Sequence, residues 1–388
     1  MVAVIGAALT PFGRRKDGSS FRDWAAAAFW QALAMAELQA ADIDVLVLAS
    51  ESDFFTLQLN PAAVIADDLG LSGAALLRVE GGGASGQLAV HAAVAQILGG
   101  LAQRVAVIGV DASASALPGA VTRDLYGFSF DAWTDGMTGV SSTVLYALSF
   151  QDFMARTGAG AADLAAVTIK NRGNACFNPG AHLPRRHSVA EIARSAMIAT
   201  PYRRLHCSPL SDGAAALILS HHDAAPQRRQ TAPRISGIGA ASDRVGLGAR
   251  LQPGDFSAKR IAMQRACQMA GITPAQVDVA EIYDAYAGAE LQAIAALGLA
   301  GDVRADLRER VFERDGRLPV NLSGGLLGQG APVGATGVGQ TATCALLLEG
   351  RYHSPLQPAR ALTHALADTH GGICTSAAVT ILSQPGAR

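Results

Sequence analysis

Short runs that are apolar at every position alternate with helical periodicity through the first 110 residues. Val2–Ala7, Val45–Ala49, Leu76–Val79 and Arg104–Val110 predict strands buried on both faces, while Phe21–Leu38 and Pro61–Leu69 read as helices between them. Strands of this kind separated by helices predict a mainly parallel sheet covered on both sides. After Val79 come Gly81-Gly82-Gly83, then a stretch to about Leu98 in which Ala, Leu, Val and Ile fill nearly every face. A helix apolar all round is a buried helix. Its first turn, at Ala84-Ser85-Gly86, would aim free N–H groups and the positive end of the dipole at whatever lies above the glycines, a place suited to a developing oxyanion. No nucleophile is displayed there. The tip Gly82-Gly83-Ala84 is bare, and Ser85 is better placed to cap the helix than to attack.

From about Ala112 to Leu205 the rhythm breaks into a segment rich in Gly, Asn, Arg, His and Tyr, expected to form a lid or binding surface. Ser211-Asp212-Gly213 then leads into Ala214–Ser220, a strand that rejoins the first sheet. The second half repeats the first. Ile235-Ser-Gly-Ile-Gly-Ala-Ala answers Val2-Ala-Val-Ile-Gly-Ala-Ala, and Gln276-Val-Asp-Val-Ala-Glu-Ile answers Asp42-Ile-Asp-Val-Leu-Val-Leu. Pro319-Val-Asn-Leu-Ser-Gly-Gly, with an apolar helix near Gly337–Leu347, answers Arg78-Val-Glu-Gly-Gly-Gly and its helix. Duplication predicts two similar α/β halves, residues 1–111 with 206–230 and residues 231–388, around an inserted segment, 112–205. The two central helices would pack together, with a site between the halves.

Half of the 388 residues are apolar, enough for a large core, and the formal charge of −1 argues against nucleic acid or an acidic membrane surface as the main partner. Met1–Thr10 is too short and lacks the basic flank of a signal peptide, and no apolar run reaches the length of a spanning helix, so a cytoplasmic protein is expected. Five scattered cysteines have neither zinc-ligand nor disulfide spacing. The glycines between Ser323 and Gly337 lack the Gly-Lys-Ser/Thr of a phosphate loop, which favours close helix packing. His91 on the buried helix reads as a satisfied core histidine, and Cys374 as a small buried hydrophobe.

Asn60-Pro61-Ala62-Ala63, Asn178-Pro179-x-Ala181-His182, Cys207-x-Pro209-x-Ser211-Asp212-Gly213-Ala214 and Gly330-x-Pro332-Val333-Gly334-Ala335-Thr336-Gly337 together resemble the thiolase superfamily, most of all its sterol-carrier-protein-type branch. The resemblance spans nearly the whole chain. It implies duplicated mixed-sheet halves in five layers (αβαβα) and a tunnel for acyl-CoA thioesters ending at the tips of the two central helices. The family's chemistry is not retained. Gly83 stands where a thiolase has its cysteine, Ala331 where it has a histidine, and Tyr283-Asp284-Ala285-Tyr286 where it has His-Asp-Cys-Phe; without the thiol there is no acyl-enzyme.

The Gly81-Gly82-Gly83-Ala84 tip and Tyr283-Asp284 resemble the steroid side-chain aldolases, thiolase-like proteins that cleave a 3-hydroxyacyl-CoA. That resemblance implies retro-aldol release of a ketone or aldehyde plus acetyl-CoA or propionyl-CoA, from a substrate with a bulky side chain such as a steroid. Tyr283 would be the acid/base, tuned or relayed through Asp284, and N–H groups near Gly83 and Gly372 would hold the thioester oxygen. Glycine at the tip would leave room for the substrate. The aldolases carry a second tyrosine in the place of Ala331, so Tyr286, otherwise a core aromatic, becomes a candidate proton donor. His370 would either hydrogen-bond the thioester or hold a loop. Ser85, Ala331 and Gly334 are expected beside the substrate. One or two of Lys170, Arg172, Arg185, Arg186, Arg203 and Arg204 would meet the CoA phosphates, with Arg185 and Arg186 as the candidates. No cofactor is expected beyond the CoA thioester itself. A homodimer formed through the first sheet and a small zinc-ribbon/OB-fold partner are implied. Two alternatives stay open: a non-catalytic acyl-CoA or lipid-binding subunit, and an acyltransferase that works only within a complex.

Overall fold

The apolar runs of the first half become β1 (Val2–Leu9), β2 (Val45–Ala49), β3 (Ala75–Val79) and β4 (Arg104–Ala112), separated by α1 (Phe21–Ala36), α2 (Pro61–Asp68) and α3 (Ser85–Leu98). The computed structural model describes residues 1–387. The segment expected as a loop or lid is largely helical: α4 (Gly119–Leu125), α5 (Ser142–Thr157), α6 (Ala161–Ala175) and α7 (Val189–Arg194) precede a small ribbon, β5 (Met197–Ala199) with β6 (Tyr202–Arg203). The polar residues of α6 disguise it in the sequence because they are buried and paired with distant partners. Lys170 Nζ bonds the Val320 carbonyl at 2.8 Å and the Glu290 carboxylate at 3.1 Å, and Asn174 bonds the Asn321 carbonyl at 3.0 Å. The chain continues through β7 (Asp212–His221), β8 (Arg234–Ser242), α8 (Ser257–Ala270), β9 (Val279–Ile282), α9 (Ala287–Ala296), α10 (Val303–Arg308), α11 (Gly325–Gly328), α12 (Val333–Leu348), β10 (His364–Gly371) and β11 (Ser376–Ser383).

Nine strands form one sheet in the order β3-β2-β4-β7-β1-β8-β11-β10-β9. Only β2–β3, β2–β4 and β9–β10 are parallel; the other five pairings are antiparallel. The mainly parallel sheet expected from the apolar runs is therefore mixed. An all-apolar run reports burial on two faces and carries no direction, and antiparallel β7, nine of whose ten residues are buried, reads like a parallel strand. The duplication is visible as mirrored strand orders, with Val320 bridging Ala280 where β3 flanks β2 in the first half. The halves join through Val2↔Ile235 and Ala3↔Arg234.

Around this sheet the five-layer αβαβα thiolase fold follows from burial. Helices α1 and α2 cover the outside of the first half-sheet with Trp24, Phe29 and Ile65 against Leu46, Ile108 and Ile218. Between the half-sheets lie α3 and α12, sharing Ala89, Val94, Val338 and Ala342 with Val107, Leu217 and Ala367. Helices α8 and α9 and the insertion helices close the far side. The two central helices meet backbone to backbone: a Cβ on Gly86 would lie 2.7 Å from the Gly337 nitrogen, and one on Gly337 would lie 2.5 Å from the Gln87 nitrogen.

Candidate active site

The chain leaves β3 and reaches α3 through a three-residue turn, Gly82–Ala84, at whose start Gly82 has a φ of 59°, a value glycine adopts freely. Ser85 sits inside this turn: its Oγ accepts from the Gly81 N–H at 3.0 Å and donates to the Gly82 carbonyl at 2.6 Å. It is fully buried, and Ala84 holds the cap position. So Ser85 does not cap α3 and lies off the chamber wall; it braces the tip. Among the described residues the N–H groups of Gly83 and Gly372 donate to no backbone or side-chain acceptor.

What stands over Gly83 is Tyr283. A Cβ placed on Gly83 would lie 2.6 Å from the Tyr283 hydroxyl and 2.2 Å from the His370 carbonyl. The room expected at the glycine tip for substrate is thus already taken by the phenol. Burial, helped by repulsion from Glu51, Tyr286 and Asp284, raises the pKa of Tyr283 well above that of an ordinary phenol, so it is a neutral O–H group at neutral pH.

Three supports fix this ring. His370 packs on it with centroids 4.5 Å apart. The His370 Nε2 lies 2.7 Å from the Tyr146 hydroxyl, which itself donates to the Gly372 carbonyl at 2.6 Å. Tyr146 spends its hydrogen on Gly372, so Nε2 must carry the imidazole proton. Burial and the nearby Lys259 and Arg250 charges hold His370 far below the usual histidine pKa, hence neutral. It is not among the residues that line the chamber, and its bond to Tyr146 ties it to the Gly372 loop. Beneath it, the fully buried Lys259–Asp368 ion pair underlies Tyr283, whose N–H is 3.5 Å from Asp368 Oδ2.

Asp284 points the other way. Its oxygens accept from Asn171 at 2.7 Å and from the N–H groups of Leu326 and Leu327 at 2.6 and 3.3 Å, which anchors the glycine-rich α11 turn. The expected relay from Tyr283 through Asp284 is therefore absent, because consecutive residues leaving a strand face opposite sides. Burial and the neighbouring Glu290 carboxylate raise its pKa.

Tyr283, Gly83 and Gly372 open onto a chamber of about 330 Å³ whose remaining wall includes Tyr146, Tyr286, Ala331, Cys207 and Glu51. Tyr286 packs against Tyr146 at a tilt of 35° with centroids 4.4 Å apart and bonds Thr143 at 2.8 Å; burial pushes its hydroxyl up to about 12. Gly334 is not on this wall. It is wedged against Ala49 and Ser50, and its N–H bonds Asp111 at 2.5 Å.

Glu51 went unremarked in the sequence. Its position at the C-terminal end of parallel strand β2, where sheets of this kind gather ligands, was the available signal. Burial and the Asp111 carboxylate push its carboxyl up to about 8, partly offset by the nearby Tyr126 hydroxyl, and its buried Oε2 makes no hydrogen bond of normal geometry among the described residues.

Through Thr143, Ile198, Cys207 and Ser208 the chamber shares a wall with a second recess of about 570 Å³ that carries Arg172, Arg185, Arg204 and His187. Arg185 lines this recess and is paired there with Glu191 at 3.2 Å. Arg186 does not line it: it lies over the Phe177 ring at 5.3 Å. Lys170 is consumed by Glu290, and Arg203 bonds the Ser195 carbonyl at 2.8 Å. His91 is a satisfied core residue bonded to Val379 and Thr380, each at 3.1 Å. Among the described residues no cluster of three or more metal-ligating side chains occurs, and no helix is long and apolar enough to cross a membrane.

Known proteins share this architecture. Residues 239–384 match the family described as thiolase C-terminal domain-like. The acetyl-CoA acetyltransferase of Methanothermobacter thermautotrophicus is 33% identical over 352 residues, covering 90% of this chain and 91% of its own. The 17-hydroxy-3-oxo-4-pregnene-20-carboxyl-CoA lyase of Mycobacterium tuberculosis is 26% identical over 394 residues, covering 96% and 97%. The solved structure of the Ltp2-ChsH2(DUF35) aldolase superposes with a TM-score of 0.84 at 24% identity, over 99% of this chain and 98% of that one.

Proposed function

The chain belongs to the thiolase superfamily, in its sterol-carrier-protein-2-like branch, and from that premise we propose that it cleaves a 3-hydroxyacyl-CoA between C2 and C3 by a retro-aldol reaction. The observation that carries this reading is the Tyr283 hydroxyl standing over Gly83, in the space a thiolase gives to its nucleophile. A retro-aldol cleavage needs no nucleophile. The 3-hydroxyl loses its proton, the C2–C3 electron pair enters the thioester as an enolate, and C2 takes up a proton. The products are a ketone or aldehyde and a shorter acyl-CoA, acetyl-CoA or propionyl-CoA.

In this scheme the unpaired N–H groups of Gly83 and Gly372 hold the enolate oxygen, a contribution of several kcal/mol in comparable sites, of order 3 kcal/mol per donor. Tyr283, kept as a neutral phenol, gives its proton to C2. Arg172, Arg185 and Arg204 meet the CoA phosphates at the mouth. The lyase relative, named for a pregnene carboxyl-CoA, and the aldolase neighbour support a bulky, steroid-like acyl group. The likeness to the aldolase also supports a homodimer working with a small DUF35-type, zinc-ribbon/OB-fold subunit. The test is to incubate the protein, with and without such a subunit, with 3-hydroxyacyl-CoA esters and to follow the shorter acyl-CoA. Turnover unchanged in Tyr283→Phe removes that residue from the mechanism.

Acyl transfer is the second reading, because a 33% identical relative is named an acetyltransferase. The one sulfur on the chamber wall is Cys207, and burial pushes its thiol up to about 12, too high for a ready thiolate. A Cys207 acyl-thioester trapped by mass spectrometry after exposure to acetyl-CoA would favour transfer over cleavage.

A further inference from the structure

Resting on the retro-aldol reading, we infer that Glu51 is the general base that takes the 3-hydroxyl proton, the group that Ala331 cannot supply. The reading assigns the C2 proton to Tyr283 and leaves the 3-hydroxyl without an acceptor. Among the described residues on the chamber wall, Glu51 is the only carboxylate, and no histidine is present. The other phenols there, Tyr126, Tyr146 and Tyr286, and the Cys207 thiol are made less acidic by burial, and the serine and threonine hydroxyls of the wall are too weakly acidic to ionise and serve as bases.

The main chain of Glu51 is fixed and its side chain is not. Its N–H bonds Asp111 Oδ2 at 3.2 Å, and Asp111 in turn accepts from Ser50 at 2.8 Å and from the first turn of α12. Glu51 Oε2, by contrast, is buried and makes no hydrogen bond of normal geometry; the Tyr126 hydroxyl is near enough to favour its ionised form but is not aligned with it. A buried carboxylate oxygen without a hydrogen bond is costly, and substrate hydroxyl is the group that would satisfy it. The charged or titratable groups facing it are Asp111 from β4, Glu80 after β3, Tyr126 after α4, and Tyr283 after β9, with Arg123 on the same chamber wall. The acidic neighbours and burial bring its affinity for a proton toward neutrality, where a general base is most effective.

The proton balance closes. Ionised Glu51 takes the proton from the 3-hydroxyl as C3–O becomes a carbonyl and C2–C3 breaks. Tyr283 protonates C2. Its phenolate, far more basic than the carboxylate, then recovers the proton from Glu51, and both groups return to their starting states. Run backwards, the same relay removes a C2 proton from the short acyl-CoA product, so exchange of the C2 hydrogens of propionyl-CoA with heavy water depends on both residues.

The experiment compares the wild type with Glu51→Gln and Glu51→Ala in two assays, 3-hydroxyacyl-CoA cleavage and C2 exchange in propionyl-CoA, alongside acyl-CoA binding. The expected result in Glu51→Gln is a loss of at least about 100-fold in kcat with an unchanged dissociation constant. Loss of the pH limb near 8 in kcat/KM, and partial recovery of Glu51→Ala by added formate, would identify proton transfer rather than a structural role. Cleavage or exchange that persists at the wild-type rate in Glu51→Gln overturns the assignment while leaving the retro-aldol reading in place. Exchange by the wild type that disappears in Glu51→Gln, with no cleavage of any 3-hydroxyacyl-CoA, keeps Glu51 in proton transfer at C2 but sinks the retro-aldol reading and, with it, the assignment of Glu51 to the 3-hydroxyl. A wild type that neither cleaves nor exchanges overturns both.

Discussion

Replacing Gly83 with alanine adds a single methyl group at the tip of α3, and the structure fixes what it meets. The new Cβ would stand 2.2 Å from the His370 carbonyl, 2.6 Å from the Tyr283 hydroxyl and 3.0 Å from Cζ of the same ring. The carbonyl belongs to strand β10 and cannot swing aside, so the ring and the strand must both shift by several tenths of an ångström. Overpacking of this kind costs about 1–3 kcal/mol. For a chain of this size that is a fall in Tm of a few degrees. The effect on chemistry should be larger, because a displacement near 1 Å at a reacting group costs on the order of 100-fold in rate. Thermal unfolding and release of short acyl-CoA, measured on the same preparation, read the two effects. Adding Tyr283→Phe to Gly83→Ala removes the hydroxyl contact but not the carbonyl contact, so it should restore part of the lost stability and none of the activity. A Gly83→Ala protein with the wild-type Tm and turnover would refute the claim that Tyr283 occupies the nucleophile's space.

Other perturbations probe separate parts of the site. Tyr283→Phe alone should lower kcat by about 100-fold to 10,000-fold without weakening acyl-CoA binding, checked by steady-state kinetics and calorimetry. Lys259→Ala leaves Asp368 buried without its partner and should cost about 3–5 kcal/mol in denaturant unfolding. Arg172→Ala and Arg204→Ala should each raise KM for a CoA ester about tenfold or more while leaving kcat nearly unchanged, an effect that shrinks as salt is added. Because the Glu51 carboxyl is raised to about 8 from an ordinary value of 4.5, the folded chain binds more protons than the unfolded chain between those values. Its contribution to stability is intact below about 4.5 and is lost as pH rises through about 8. Glu51→Gln should therefore lose less stability than the wild type between pH 5 and pH 9 in urea titrations.

Hydrophobic patterning marked the strands of the first half to within a few residues, Val45–Ala49 without error, and the internal repeat gave the second half and the pairing of its central helices. Strand direction was illegible because two-sided burial looks the same in either sense. The insertion misled for a related reason. Lys170-Asn171-Arg172 has the composition of a solvated surface, yet Lys170 finds Glu290 120 positions away, and a partner so distant leaves no local trace. Within the site, Gly83 and Tyr283 were identified by motif, and the structure sets them against each other. Asp284 followed Tyr283 in the motif but not in space. Glu51 was missed because an acidic residue after a buried strand is ordinary in a loop; only the fold brings it to the chamber. Gly334 and Ser85 are near the site in sequence but off the chamber wall, where their hydrogen bonds to Asp111 and to Gly81 and Gly82 brace the backbone.

The backbone contact between Gly86 and Gly337 acts as a fulcrum for the whole cleft. With the two helices touching there, the floor below Gly83 cannot widen without prising the halves apart. Adaptation to a larger or smaller acyl group must then fall to the roof, where residues 112–205 supply Tyr126, Phe130, Tyr146 and Ile198. Transplanting that segment between relatives should carry size preference with it while the proton-handling floor stays constant.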